Sequence, residues 1–246
     1  MTARRRAATA IMATSLAVAL LAGVADAAAK LPKPATAGQV AARVAASTSI
    51  ERLPTGLVPP LGELPSDQPR AYYGVAGREC DGMTSCVFGD RSSRTTVVLF
   101  GDSHAMMWLP ALVPVALADH VRLVLTWRPG CPAATVTVWD PVDHSVATGC
   151  NVWRAAQLHV IAAAHPFLVL LASRTSNIPG AGNRPTTDAA WQAGLEQTIS
   201  ALKSPTTRVA VIGDITALDA DAATCLAAYP TSVQRCSVPN PNPRGY

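Results

Sequence analysis

Aromatic side chains are scarce in this chain, with Phe, Tyr and Trp together making up 5% of its 246 residues. So few rings argue against a surface built to stack nucleobases or sugars. Charge is sparse too. Asp, Glu, Lys and Arg supply 15% of the residues, and the formal net charge is +4. Arg4, Arg5 and Arg6 against Asp26 account for +2 of that, leaving +2 for everything after the first segment. So small a charge leaves no electrostatic footprint for nucleic acid, and no such partner is expected. CxxC-like spacing is absent and no histidines fall at matching intervals, so neither a metal nor a cofactor is expected. There is no internal repeat.

What the chain has is apolar bulk, with almost half its residues hydrophobic. That composition is globular, and the length allows one large domain or two small ones with a real core. The first segment reads as an export signal. "TARRR" is a basic n-region, "AATAIMATSLAVALLAGV" an apolar h-region, and "ADA" (Ala25 to Ala27) an A-x-A cleavage site. Cleavage is favoured over an uncleaved anchor because Ala-rich stretches are only weakly hydrophobic on insertion scales. Either way the body of the protein is expected outside the cytoplasm, secreted or in the cell envelope. The cysteines agree. Cys80, Cys86, Cys131, Cys150, Cys225 and Cys236 fall into three sequence-local pairs. Six cysteines permit about 15 connectivities, of which nearest-neighbour pairing is the simplest for an oxidising compartment.

Three regions follow: a signal peptide over 1–27, an extended Pro/Ala-rich lead-in over 28–70, and a domain over 71–246. "LPTGLVPPLGELPSDQP" has too many prolines for a helix, and a short helix fits only "AGQVAARVAAS". From Thr95 strands and helices alternate. "TTVVLF", "VRLVLTW", "FLVLLAS" and "RVAVIGD" are continuous apolar runs, as in strands covered on both faces. "AMMWLPALVPVALADH" has helical spacing that Pro110 and Pro114 should kink or fragment. Asn151 is expected to cap a helix over "VWRAAQLHVIAAAH", and Thr187 or Asp188 one over "TTDAAWQAGLEQTISALK". The alternation predicts parallel βαβ units in an α/β fold. Four strands with nothing after the last predict an unfinished sheet with one exposed edge.

Chemistry concentrates at "GDSH", Gly101 to His104, between the first strand and its helix. Open parallel sheets take ligands at the carboxyl ends of their strands. Gly101 permits a tight turn, Asp102 is expected to hydrogen-bond within it, and Ser103 begins the helix, whose N–H groups suit an oxyanion. This has the strand–turn–helix logic of a nucleophile elbow. It equally fits a Ser/Asp helix cap with no chemistry. An α/β-hydrolase would place its elbow after several earlier strands. A metallophosphoesterase would need a further Asp where Ala217 follows Asp214, and an Asn-His pair that the chain lacks.

From about Tyr72 onward the sequence resembles the SGNH-type extracytoplasmic domains that are fused to, or work with, membrane acyltransferases of family 3. The matching stretches are "VVLFGDSHAMMWLPAL", "RPGCPAA" with the later "GCNVWR", "PFLVLLASR" and "RVAVIGDIT...CLAAYP...RC". The resemblance implies a three-layer flavodoxin-like fold with Ser103 as acyl-bearing nucleophile. It also implies transfer or hydrolysis of O-acyl, typically O-acetyl, groups on an envelope glycan, with a membrane acyltransferase as a partner. The pairs Cys131–Cys150 and Cys225–Cys236 fit the family pattern, and Cys80–Cys86 completes the set by proximity. The chain departs from the pattern in lacking the late Asp-x-x-His that carries the general base. On this reading the final strand and helix are missing, and the alternative is an inactive truncated module with a binding or accessory role. Without a base a serine hydroxyl is a poor nucleophile at neutral pH. His104 adjoins Ser103, where neighbouring side chains diverge. His120 and His165 fall at helix ends and His159 on a partly exposed helix face, which leaves His144 as the substitute base. For the oxyanion, Asn177 is the best-placed candidate, with Ser173 and Arg174 in the same loop.

Overall fold

The computed structural model describes residues 35–57, 60–63, 79–84, 86–175, 178–215 and 221–237. The chain divides into two compact units, Met1–Arg52 and Leu53–Tyr246. In the first, α1 (Ala37–Ser47) occupies the one lead-in stretch with helical spacing. A reciprocal cap starts it: Thr36 Oγ1 accepts from the Gln39 N–H at 3.3 Å, and Gln39 Oε1 accepts from the Thr36 N–H at 2.9 Å. None of its residues is buried. The export segment lies outside the described residues. Among those described, no helix is long and apolar enough to cross a membrane.

In the second unit the four apolar runs form β2 (Thr96–Gly101), β3 (Arg122–Trp127), β6 (Leu168–Ala172) and β7 (Arg208–Ile212). They pair in parallel in the order β3-β2-β6-β7. Period-two alternation explains why the runs are apolar throughout. Val98, Phe100, Val124 and Leu171 face one cluster, while Leu99, Leu123, Leu125 and Ala172 face the other. The first cluster is covered by α4 (Thr148–Ala163) and α5 (Asp188–Leu202), through Trp153, Ile161, Trp191 and Leu202. The second is covered by α2 (Ser103–Met106) and α3 (Leu109–Ala118), through Ala105, Leu109 and Ala116. Three layers result.

The sheet has a fifth strand that the sequence pattern did not predict, β1 (Val87–Gly89), antiparallel on the outer side of β3. Three residues ending in glycine carry no periodicity. The strand exists because the Cys80–Cys86 bridge folds its lead-in back along β3. Cys80 and Trp127 exchange N–H···O bonds of 3.1 and 3.2 Å, and Cys86 O accepts from Leu125 N–H at 2.9 Å. Among the described residues β7, mostly exposed, is the opposite edge. The prolines fragment the first helix as expected. The chain turns at Met107–Trp108, Pro110 takes a first-turn position of α3 where its absent N–H costs nothing, and Pro114 lies inside.

The excursion between Cys131 and Cys150 carries an unpredicted hairpin, β4 (Trp139–Asp140) with β5 (Ser145–Val146). It also moves a helix start. Asn151 does not cap α4, which begins earlier at Thr148 because the Ala147 N–H bonds Val138 O at 2.8 Å and Cys150 is bridged to Cys131. Asn151 instead accepts from Arg154. Arg154 is a buried cation whose fork holds the loop: Nε donates to Pro132 O at 2.8 Å and Nη1 to Val136 O at 3.2 Å. Burial pushes its guanidinium down to about 10. On the other side α5 presses against the same loop at Gly194, whose O accepts from Thr135 N–H at 2.9 Å. A Cβ there would lie 2.6 Å from Thr135 O. Thr187 caps α5, accepting from Ala190 N–H at 3.2 Å. Cys225 in α6 (Ala222–Ala228) is bridged to Cys236, so all three nearest-neighbour disulfides form.

Candidate active site

The carboxyl ends of β2, β6 and β7 meet at one end of the sheet, and each ends in a short polar turn. Gly101 closes β2, and the reason it is glycine lies in the neighbouring strand. A Cβ on Gly101 would sit 1.8 Å from the Ala172 carbonyl oxygen of β6. Asp102 follows, with only 1% of its surface exposed. Its Oδ1 accepts from the His104 N–H at 2.8 Å, and its Oδ2 from the Arg174 N–H at 3.0 Å. Asp102 therefore caps α2 and ties the β2 turn to the β6 turn. Burial raises its carboxyl above the ordinary value, against the lowering effect of those two N–H donors.

Ser103 opens α2, half-buried. The helix is only one turn long, and its first N–H groups are largely committed. The His104 N–H goes to the Asp102 side chain, and those of Ala105 and Met106 go to Asp102 O at 3.0 and 3.4 Å. Among the described residues no acceptor takes the Ser103 N–H, and nothing bonds its Oγ. The oxyanion donors expected of a whole helix terminus thus reduce to the Ser103 N–H.

His104 is turned toward β7. Its Nδ1 lies 2.6 Å from Oδ1 of Asp214, a residue 110 positions away whose side chain is 3% exposed. Asp214 sits just past β7 and receives three more donors: the Ile215 N–H at 2.9 Å on Oδ1, and the Thr175 N–H and hydroxyl at 2.8 and 3.2 Å on Oδ2. The turn after β6 thus gives one N–H to each carboxylate, Arg174 to Asp102 and Thr175 to Asp214. Ser173 in that turn accepts from Ala133 N–H at 2.8 Å, joining the loop after β3 as well. A cavity of about 610 Å³ opens between β6, β7 and α5, walled by Leu171, Trp191, Leu195 and Val211 and reaching Thr175 and Asp214. Among the described residues no cluster of three or more His, Cys, Asp or Glu is placed to hold a metal ion.

This arrangement, a buried Asp, an open Ser and a His on the central strand end, lies within a region matched by a family model. The model for the SGNH domain (fused to AT3 domains) covers residues 71–244. The chain belongs to this family. Among solved structures, the SGNH chain is similar to the periplasmic domain of a Salmonella ser. Paratyphi A lipopolysaccharide acetyltransferase, with a TM-score of 0.46 and 19% identity. The likeness covers 57% of this chain and 52% of that one, so the chain spans about half of that structure's length. No curated protein matches the sequence.

Of the residues singled out from the sequence, Ser103 and Asp102 lie together in the SGNH domain's β2 turn. Asn177 lies outside the described residues. His144 stands in the exposed turn of the β4–β5 hairpin at a positive φ of 47°, and no bond among the described residues joins it to Ser103, His104 or Asp214. His120 and His165 also take positive φ, just past helix ends, and His159 is exposed on α4. The pairing that sequence reasoning missed is His104 with Asp214. Its only trace was the repeated "GD" at the ends of two apolar runs.

Proposed function

We propose that this SGNH domain transfers or hydrolyses O-acyl groups, typically O-acetyl, on a cell-envelope carbohydrate, with Ser103 as the acyl-bearing nucleophile. It acts outside the cytoplasm, and a membrane acyltransferase supplies its acyl groups. Family membership supports the chemistry, and the fusion to AT3 domains in the family's own description supports the partner. The basic and apolar first segment and three disulfides support the compartment. One observation carries the reading. Ser103 stands at the end of the central strand with its N–H and Oγ both uncommitted among the described residues, in a turn fixed by buried Asp102. A hydroxyl free to attack and an N–H free to receive the resulting oxyanion are what acyl transfer requires.

The test is labelling by a serine-directed fluorophosphonate and turnover of an activated acetyl ester, each compared with Ser103→Ala. Loss of both signals in the variant is expected. Sites stripped of part of their catalytic set still retain roughly 10³-fold over water, so even a slow rate is measurable. Activity unchanged in Ser103→Ala would place the chemistry elsewhere. No labelling of the native chain would favour a binding module.

A further inference from the structure

His104 has two ring nitrogens, and the donors around Asp214 decide what each can do. Asp214 Oδ1 and Oδ2 already accept two backbone N–H groups and the Thr175 hydroxyl. An oxygen surrounded by donors is an acceptor, so the 2.6 Å contact to Nδ1 is an Nδ1–H donating to the carboxylate. Nε2 then carries the lone pair. Among the described residues nothing bonds Nε2, and the His104 side chain keeps 25% of its surface exposed. A carboxylate holding Nδ1–H while Nε2 stays free is how imidazole is prepared to take up a proton.

Ser103 and His104 are consecutive residues of α2, and consecutive helical residues leave the backbone about 100° apart, so the imidazole and the hydroxyl start from adjacent positions in different directions. An acceptor oxygen that attacks an acyl group carried on Ser103 must come in beside this same turn, where the exposed part of the His104 ring stands. We infer that His104 is the proton-transfer residue for acceptor attack on acyl-Ser103, and that Asp214 is the positioning residue that fixes its tautomer. The inference rests on Ser103 being the acyl carrier. In the step, the acceptor hydroxyl (a sugar O–H, or water) forms a bond to the acyl carbon while its proton passes to Nε2. The tetrahedral intermediate then breaks its bond to Ser103 Oγ, which departs as an alkoxide and takes a proton from solvent water, while Nε2–H gives its proton to the hydroxide left behind. The acceptor leaves acylated, and Ser103 and His104 return to their starting forms.

The full chain is mixed with p-nitrophenyl acetate, and turnover is followed together with the mass of the intact protein. In His104→Ala, Ser103 still becomes acetylated, the acetyl-protein accumulates, and steady-state turnover falls by about 10²-fold or more. Added imidazole speeds release of the acetyl group from that variant, which a merely structural loss would not allow. Asp214→Asn gives the same accumulation in weaker form. His104→Gln, which retains a side-chain N–H for Asp214, behaves like His104→Ala if proton transfer is what was lost. It serves in place of the alanine variant should that one fail to fold. Release of acetate from His104→Ala at the native rate overturns the inference. So does a variant that never acetylates while the native chain does, because His104 would then act on Ser103 itself. Failure of the Ser103 reading is seen separately, as a native chain that forms no acetyl-Ser103, and the inference falls with it.

Discussion

Replacing Gly101 by alanine tests how closely the two strand ends that build the site are held together. The added Cβ would lie 1.8 Å from Ala172 O, 2.9 Å from Ala172 C and 3.1 Å from Ser173 Oγ. Real Cβ contacts are essentially never under 3.0 Å, so Ala172 O must withdraw by over an ångström. It is backbone of the adjacent parallel strand, paired with Gly101 in register, and cannot rotate aside. Opening the end of β2 from β6 loosens the Arg128 N–H bond to Gly101 O and the Arg174 N–H bonds to Asp102. Each costs about 1 kcal/mol as a lost hydrogen bond, and about 1–3 kcal/mol where a buried polar group is left unpaired. The total is about 3–5 kcal/mol, a large share of the roughly 5–15 kcal/mol that holds a domain folded. Urea unfolding followed by tryptophan fluorescence reads the stability, and fluorophosphonate labelling of Ser103 reads the site. Gly130→Ala is the control, since Gly130 has a φ of +64° but nothing within 4 Å of its Cβ position. It should cost only the conformational penalty of about 1–2 kcal/mol. A Gly101→Ala protein destabilised by less than its Gly130→Ala counterpart would refute the close approach.

Arg154 gives an ordering of two variants. Arg154→Lys keeps a buried charge but cannot span Pro132 O, Val136 O and Asn151 together, whereas Arg154→Met discards the charge along with the bonds. The lysine variant should therefore unfold at least as easily as the methionine variant, each being about 2–3 kcal/mol less stable than the native chain in denaturant titration; the reverse order would show the charge to be favourable. Asp102 gives a pH dependence. Its folded carboxyl is raised, so the folded chain holds the proton more tightly than the unfolded one. This contribution to stability falls as pH rises from the ordinary carboxylate range through the raised value. Asp102→Asn keeps an oxygen for the His104 and Arg174 N–H groups and should remove that fall, as read from thermal unfolding midpoints across the window. An identical slope in the variant would mean that Asp102 is not its source.

Local pattern determined much of this protein. Four continuous apolar runs became the four parallel strands; in β2, β3 and β6 burial on both faces accounts for the run, while β7 is mostly exposed. The helical pattern broke ahead of Pro110, which fits only a first turn, while Pro114 was taken up inside α3, and cysteines close in sequence found each other. The strand–turn–helix placement of Ser103 was legible for the same reason, since a strand end followed by Gly-Asp-Ser and a helical pattern is a local signal. What required tertiary structure was every feature made by residues far apart in the chain. β1 has no pattern of its own and is a strand only because Cys80–Cys86 lays it along β3. The helix expected from Asn151 starts earlier because the bridge to Cys131 and the bond from Ala147 to Val138 set its first turn. Gly101 reads as a turn residue in sequence, but its constraint is the backbone of β6. His104 was set aside because an adjacent side chain diverges from Ser103, an argument that stops at the nearest neighbour. Its partner Asp214 is 110 residues on, and the two meet only because the sheet order brings the ends of β2 and β7 to either side of β6. Strand order is set by which faces and edges pack together, and no short window of sequence contains it.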